Sequence, residues 1–200
     1  TESASVIVSS YAITFDPNNG EGDIKTQTVM TKSVNLDANT YTREAYTFNG
    51  WNTAEDGSGT SYSDSSSITP EGDMTLYAQW TPVVYTITYE LNGGTVATVN
   101  QTSYTIESND ITLVNPSKTG YKFAGWSGTG IDQPTNAVTI SRGSMGNRTY
   151  VANWTVWTTD ITFNQNGGAE GTTEVQATYG EAMPEATMPT RTGYIFEGYY

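Results

Sequence analysis

Apolar and polar side chains alternate along several short stretches of this chain, and the clearest of them reads YTITYEL. Its residues Tyr85, Ile87 and Tyr89 fall on one face of an extended strand, and polar residues fall on the other. A period of two residues is typical of a half-buried β-strand. The Asn92-Gly93 pair that follows supplies the positive φ angles of a tight hairpin turn, and Asn19-Gly20 is predicted to do the same near the start of the chain.

The same alternating pattern occurs three times at a constant interval. Ile13, Ile87 and Ile161 follow one another at intervals of 74 residues, and YTFNGW, YKFAGW and YIFEGY come after them in the same order. The first two copies then close alike, with LYAQWT and YVANWT. Self-similarity at a fixed period indicates a tandem array of small structural units. We predict a leader strand or linker at 1–10 and three repeat modules at 11–81, 85–155 and 159–200.

The third module is predicted to be incomplete at its C-terminal side. It reaches Tyr200, one residue after its YIFEGY marker, without the closing segment of the other two copies. We expect an exposed sheet edge there, and a dimer formed through that edge would be an artefact of the incomplete module. Otherwise we expect an elongated monomer, because the connectors at 82–84 and 156–158 are short.

The chain has no long stretch with apolar residues at helical spacing, and at most a short helical turn is expected around Ser65–Ile68. Thr, Ser, Asn, Gly and Tyr dominate the composition, which favours β-structure. We predict a mainly β fold of small modules with little helix, each with its own aromatic core. A recurring Trp or Tyr and the Gly before it are the structural markers of these cores, and we assign this role to Trp51, Trp126, Tyr199, Trp80, Trp154, Gly50, Gly125 and Gly198.

Composition removes several classes of function. Without Cys or His the chain has no thiol nucleophile, no disulfide and no common zinc site, so no cofactor is expected. A net charge of −13 opposes binding to nucleic acid or to an anionic membrane surface. No apolar run approaches the roughly 20 residues that span a bilayer, so direct membrane insertion is not expected.

Charged residues offer three candidate sites, each with a simpler structural explanation. Asp16, Asn18, Glu21 and Asp23 resemble half of a calcium loop, but the other copies lack most of these carboxylates, which favours a solvated turn. Glu55-Asp56 and Glu71-Asp73 are possible hydrolase pairs, yet both lie in segments typical of exposed turns, so we predict no enzyme. A basic residue also recurs before the marker tyrosine, and we expect it to be solvated or packed along its stem, with a surface ion pair as the alternative; it occupies positions Arg43, Lys118 and Arg191.

The order of strand, Asn-Gly-Gly, TGY-x-F-x-G and closing Ala-x-Trp resembles the Listeria–Bacteroides repeat, which includes the B repeat of internalins. NGGAEGTTEVQATYGEAMPEATMPTRTGYIFEGYY is the closest stretch. The resemblance implies a β-grasp-like module, used in series on exported bacterial cell-surface proteins and without catalytic residues. Glu44-Ala45 replaces the Thr-Gly of the other copies, and Tyr199 replaces Trp, so the copies are not interchangeable.

Two functions follow from this picture. We predict a non-catalytic spacer or adhesive stalk, extracellular on a bacterial surface. The alternative is a ligand-binding module for a glycan or for a host or matrix protein, acting through a strand edge or exposed aromatic rings. Tyr62, Tyr104 and Tyr200 are the candidate ligand contacts, because the alternating pattern does not place them in a core.

Overall fold

The computed structural model describes residues 10–30 and 32–200, so the predicted leader at 1–10 lies almost entirely outside the described residues. Within those two ranges every regular element is a β-strand and none is a helix, which confirms the mainly β prediction. The expected helical turn around Ser65–Ile68 is wrong. Ser65 has a φ of 55°, which no right-handed helix allows, and Ile68 pairs with Val34 in a short ladder. The β-grasp label stays a prediction.

The chain divides into two compact units. The first contains the described residues up to Tyr85, with 105–108 and 143–145 added, and it holds the whole first module. A five-stranded sheet and a two-stranded ladder build this module. Its strands are β1 (Tyr11–Asp16), β2 (Lys25–Val29), β3 (Val34–Asn35), β4 (Tyr46–Asn52), β5 (Ser61–Tyr62), β6 (Ser67–Ile68) and β7 (Met74–Pro82). The sheet order is β2-β1-β7-β4-β5, in which β1 and β7 are parallel.

The second unit holds most of the second module and all of the third. The strands of the second module are β8 (Tyr85–Glu90), β9 (Ser103–Tyr104), β10 (Ile111–Thr112), β11 (Tyr121–Gly128), β12 (Ile131–Thr135), β13 (Thr139–Ile140) and β14 (Arg148–Val156). This module repeats the first sheet with the order β12-β11-β14-β8-β9, and β8 and β14 are again parallel.

The third module is an antiparallel hairpin of β15 (Thr158–Thr162) and β16 (Glu174–Thr178), followed by residues without regular structure. β15 pairs with β16 alone among the described strands, whereas β1 lies between two partners. The hairpin is joined to the second module. The Trp157 N–H donates to the Gly120 carbonyl at 2.8 Å, and the Tyr179 ring packs edge-on against Tyr121 with the ring centres 6.2 Å apart.

Each complete module is built around a buried tryptophan. Trp51 is 2% exposed and meets the rings of Phe15 and Phe48 edge-on, with ring centres 4.8 and 5.0 Å away. Trp126 is fully buried in the other unit, against Tyr89 and Phe123. Separate aromatic clusters of this kind give each module its own source of hydrophobic stability, because the benefit of burial depends on the apolar area removed from water.

A β-bulge directs both tryptophans inward. The register between β4 and β7 shifts between Phe48 and Gly50, and the same shift occurs between β11 and β14 just before Gly125. Gly50 and Gly125 have φ angles of 113° and 116°, which only glycine adopts without strain. In the third module Gly198 has a φ of 141°, and the adjacent Tyr199 packs on Phe163 with ring centres 4.6 Å apart.

Candidate functional site

The last strand of each complete module is locked onto the turn that follows its first strand. In the first module the Trp80 indole N–H donates to the Pro17 carbonyl at 2.9 Å, while the Asn18 amide donates to the Ala78 carbonyl at 2.9 Å. In the second module Trp154 donates to Leu91 at 3.0 Å, and Asn92 donates to Ala152 at 3.0 Å. We call each Trp–Asn pair, Trp80 with Asn18 and Trp154 with Asn92, a closing lock.

The turn geometry at the lock differs from the prediction made for the first module. Asn18 and Asn19 carry the positive φ angles, at 46° and 66°, so the turn begins one residue earlier than the predicted Asn19-Gly20 pair. Asn tolerates this region better than other residues with side chains. Gly20 serves a different purpose, because a Cβ placed there would lie 2.6 Å from the Trp80 ring. The turn therefore needs Asn for its shape and Gly to make room for the indole.

The closing locks lie at one end of a parallel strand pair. Ile13 to Asp16 in β1 are in register with Met74 to Tyr77 in β7. In the second module Ile87 to Glu90 in β8 pair with Arg148 to Val151 in β14 in the same way. The strand that begins each module is thus hydrogen-bonded directly to the strand that ends it, and both run in the same direction.

The recurring basic residues lie over tyrosine rings. The guanidinium carbon of Arg43 lies 3.8 Å from the centre of the Tyr46 ring, and that of Arg191 lies 4.2 Å from the centre of the Tyr194 ring. The Lys118 Nζ lies 4.3 Å from the centre of the Tyr121 ring. Lys118 and Arg191 also donate to the turn carbonyls of Asn92 and Asn166, at 2.9 and 3.1 Å. Among the described residues, tyrosine rings rather than carboxylates are therefore the partners of these charged groups, and in the second and third modules the donated hydrogen bonds brace the turn.

An open groove lies beside Trp80 in the first module. It has a volume of about 550 Å³ and is lined by Asn18, Asn19, Arg43, Glu55, Asp56, Gln79 and Trp80, a set that we call the Trp80 groove. The half-buried indole ring forms one part of its wall. Sequence reasoning did not find this groove, because the 54–57 turn comes beside Trp80 through a hydrogen bond between residues far apart in the sequence.

Side-chain hydrogen bonds hold the groove in shape. The Asn18 amide donates to the Glu55 carbonyl at 2.9 Å and so ties the 54–57 turn to the sheet. The Gln79 amide donates to the Tyr77 carbonyl at 3.2 Å. The pKa of Asp56 is lowered by hydrogen bonds from the Ser58 hydroxyl and the Ser58 N–H, both to Oδ1, so this carboxylate is charged at neutral pH.

The carboxylate pairs do not form the geometry of a hydrolase. Glu55 and Asp56 are consecutive residues on one exposed turn, and a glycosidase instead needs two carboxyl groups that face each other across the bond to be cleaved. A general acid also needs a raised pKa, whereas that of Asp56 is lowered. Asp73 is occupied as a hydrogen-bond acceptor, because its Oδ1 receives the Ala12 N–H at 2.8 Å.

The candidate calcium loop, for which the sequence favoured a solvated turn, forms a hydrogen-bonded turn. Asp16 Oδ1 accepts the Asn18 N–H at 2.8 Å, while the Asn18 side chain is committed to the closing lock and to Glu55. Glu21 and Asp23 are exposed. Across residues 10–30 and 32–200, no group of three or more acidic, His or Cys side chains is placed to hold a metal ion.

The three candidate tyrosine contacts differ in exposure. The prediction that Tyr104 is exposed is wrong: it is 4% exposed, its hydroxyl donates to the Gly146 carbonyl at 2.6 Å, and it accepts from Arg148 Nε at 2.9 Å. Its strand has two residues, too few for an alternating pattern to reveal which side faces inward. Tyr62 packs half-buried against the first core, opposite Trp51, so only Tyr200 is fully exposed.

No helix in the described part of the chain is long and apolar enough to cross a membrane. The sequence model of the Listeria-Bacteroides repeat domain matches residues 11–79, 85–152 and 160–200. No solved structure matches the chain significantly.

Curated relatives carry the same kind of segment within longer chains. A protein of Evansella cellulosilytica, described as a "Gly-rich membrane protein", is 32% identical over 96% of this chain and 22% of its own length. Another from that organism, described as a "membrane protein", is 30% identical over 79% of this chain and 23% of its own length. Internalin H of Listeria monocytogenes is 32% identical over 60% of this chain and 20% of its own length. The chain thus spans about a fifth of each of these relatives.

The family matches fall on all three copies of the strand, turn and aromatic pattern described above. The chain belongs to the Listeria-Bacteroides repeat domain family.

Proposed function

We propose that this chain is a non-catalytic, load-bearing spacer in a bacterial surface protein, which holds other parts of that protein away from the cell. The observation that carries the proposal is the parallel pairing of the first and last strands in both complete modules. The relatives described as membrane proteins and the relative named as an internalin support an extracellular location on the cell surface.

The parallel direction of the paired strands determines how a pulling force loads the hydrogen bonds between them. A pull on the two ends of a module draws β1 and β7 past each other along their common axis, so the hydrogen bonds between them are loaded together. A pull on two adjacent strand ends would break the same bonds one after another. Since each bond contributes only about 1 kcal/mol net, breaking several at once gives a much higher barrier than breaking them in sequence.

The closing locks support the same role. The indole and amide hydrogen bonds of Trp80 and Asn18 tie the turn after β1 to the β7 strand. A shear movement of these strands has to break both bonds and also pull the ring away from Gly20 and Phe48. Interactions that must be broken to reach the barrier slow unfolding, and unfolding under force is governed by that rate.

Single-molecule pulling in two directions tests the proposal. Since the chain has no Cys, single cysteines at exposed positions provide unique handles. The Ser10→Cys/Thr81→Cys variant loads β1 and β7 in shear, and Ser10→Cys/Glu71→Cys peels them apart from adjacent ends. We expect a clearly higher unfolding force in shear, with equal urea midpoints for the two variants. Equal forces in the two directions would remove the basis of a load-bearing role.

We also propose that the chain is an elongated monomer and that this stalk contributes to adhesion. Small-angle scattering with a mass measurement in solution tests the monomer, and its failure would leave the pulling result unaffected. A dimer that disappears when the chain is extended beyond Tyr200 would match the artefact predicted for the incomplete third module.

A further inference from the structure

We propose that the Trp80 groove binds a neutral glycan. Trp80 and Asn18 belong both to this groove and to the closing lock, but the proposal rests on the groove lining and not on the strand pairing, so glycan binding and unfolding force test the two proposals separately. Its volume of about 550 Å³ lies within the range of small-ligand sites and has room for more than one sugar ring. It also combines an aromatic wall with several planar polar groups, and a sugar presents an apolar C–H face together with hydroxyl groups at its edge.

The indole of Trp80 is placed as a stacking surface. Its N–H is already used by the Pro17 carbonyl, so what the ring offers to the groove is apolar area. Phe48 supports it edge-on with ring centres 5.6 Å apart, and Gly20 packs against another part of it. A ring fixed in this way loses little conformational freedom when a ligand binds, which favours affinity.

The polar lining suits pairs of hydroxyl groups. The Gln79 amide nitrogen already donates to the Tyr77 carbonyl, so Gln79 offers its amide oxygen as an acceptor. The Asn19 amide offers a donor and an acceptor, and the Glu55 and Asp56 carboxylates offer acceptors. Asp56 Oδ1 is held by Ser58, which leaves Oδ2 directed by the same turn and free to accept from a ligand. The Asn18 bond to Glu55 fixes this turn beside the ring, so the groups are positioned before the ligand arrives.

Charge decides the class of glycan. Two carboxylates and the single guanidinium of Arg43 line the groove, and residues 11–81 carry 10 acidic against 3 basic side chains. Sulfated or uronic acid chains would be repelled, whereas hydroxyl groups gain charge-assisted hydrogen bonds. The second module reads TGI over 129–131, the stretch that corresponds to Glu55-Asp56, and has no carboxylate there. The site is therefore specific to the first module.

Binding to defined oligosaccharides tests the proposal with the full chain. Maltotetraose, cellotetraose and chitotetraose serve as neutral probes, a heparin tetrasaccharide serves as the anionic probe, and saturation-transfer NMR with calorimetry gives affinities. We expect at least one neutral probe to bind at concentrations up to about 10 mM and the heparin fragment not to bind. If no neutral probe binds, or if only heparin binds, the proposal is wrong.

Matched variants locate the site. Trp80→Phe should weaken binding about tenfold or more, whereas Trp154→Phe, the same change in the second module, should leave it unchanged. The Glu55→Gln/Asp56→Asn double variant should also weaken binding about tenfold, with Asp132→Asn as the control that removes a carboxylate elsewhere. Melting curves establish that all four variants fold. Equal losses for Trp80→Phe and Trp154→Phe, or unchanged binding in the double variant, would place the glycan outside this groove.

Discussion

Replacing Gly125 with Ala should destabilise the second module far more than other Gly→Ala changes in the same hairpin. A Cβ at this position would lie 2.6 Å from the Thr135 nitrogen and 2.9 Å from the Pro134 carbonyl carbon, both of which are backbone atoms of β12. Backbone atoms in a paired strand cannot turn aside as a flexible side chain can. β12 would have to move away from β11 at the bulge that orients Trp126.

The expected cost has two parts. An Ala with a φ of 116° is strained by about 1–2 kcal/mol, and forcing the two strands apart adds about 1–3 kcal/mol of overpacking. The sum of about 2–5 kcal/mol corresponds to a fall of roughly 10–30 °C in the melting temperature of a module this small. Gly130→Ala is the matched control. Its φ is also positive, at 72°, but its Cβ would meet only the end of Arg148 at 3.9 Å, so about 1 kcal/mol is expected.

Urea titration followed by tryptophan fluorescence and by near-ultraviolet circular dichroism measures both variants. The account predicts a lower midpoint for Gly125→Ala than for Gly130→Ala, with unchanged slopes. The reasoning would be refuted by equal midpoints, because strain in φ alone would then explain both changes and the close approach of β12 would have no energetic consequence.

Three further outcomes are expected. Tyr104→Phe should lower the free energy of unfolding by about 1.5–3 kcal/mol in urea titration, because it removes a buried hydroxyl that bonds a charged guanidinium. Tyr200→Phe should leave that free energy unchanged, and an unchanged value for Tyr104→Phe would contradict the role of Tyr104 in the core. Burial, and secondarily the neighbouring Tyr150, raises the pKa of Tyr89 to about 12. The unfolded tyrosine loses its proton near pH 10 while the folded one keeps it, so stability should fall as pH rises from 10 to 12, and Tyr89→Phe should reduce that fall in urea midpoints. Gly120→Ala should displace the Tyr179 ring, because the new Cβ would overlap it, and faster hydrogen exchange of the Tyr179 amide would report the loosened hairpin.

The sequence predicted those parts of the fold that depend on local chemistry. Alternation identified β1, β8 and β15, and the Gly-aromatic pairs identified Trp51 and Trp126 as core residues, because a large ring next to a permissive backbone is a strong local signal. It did not predict which strands pair. The parallel contact between β1 and β7 joins residues about 60 positions apart, and alternation is the same whichever strand lies alongside.

The candidate site was less predictable for similar reasons. Asn18-Asn19 and Asn19-Gly20 both suit positive φ angles, so composition could not fix the turn within one residue. Glu55 and Asp56 were recognised as an exposed acidic pair, but their position beside Trp80 depends on the Asn18 side chain that ties two distant turns together. Long-range side-chain bonds of this kind leave no periodic trace in a sequence.

Stretching the unmodified chain from its two ends tests the central claim, that each complete module is a separate β-unit closed by a parallel strand pair. The account predicts two high-force events of equal size, each releasing nearly the full extended length of a module, about 250 Å, and a third event at lower force from the β15–β16 hairpin. A single event of twice that length, or complete modules that yield at the force of the hairpin, would contradict it.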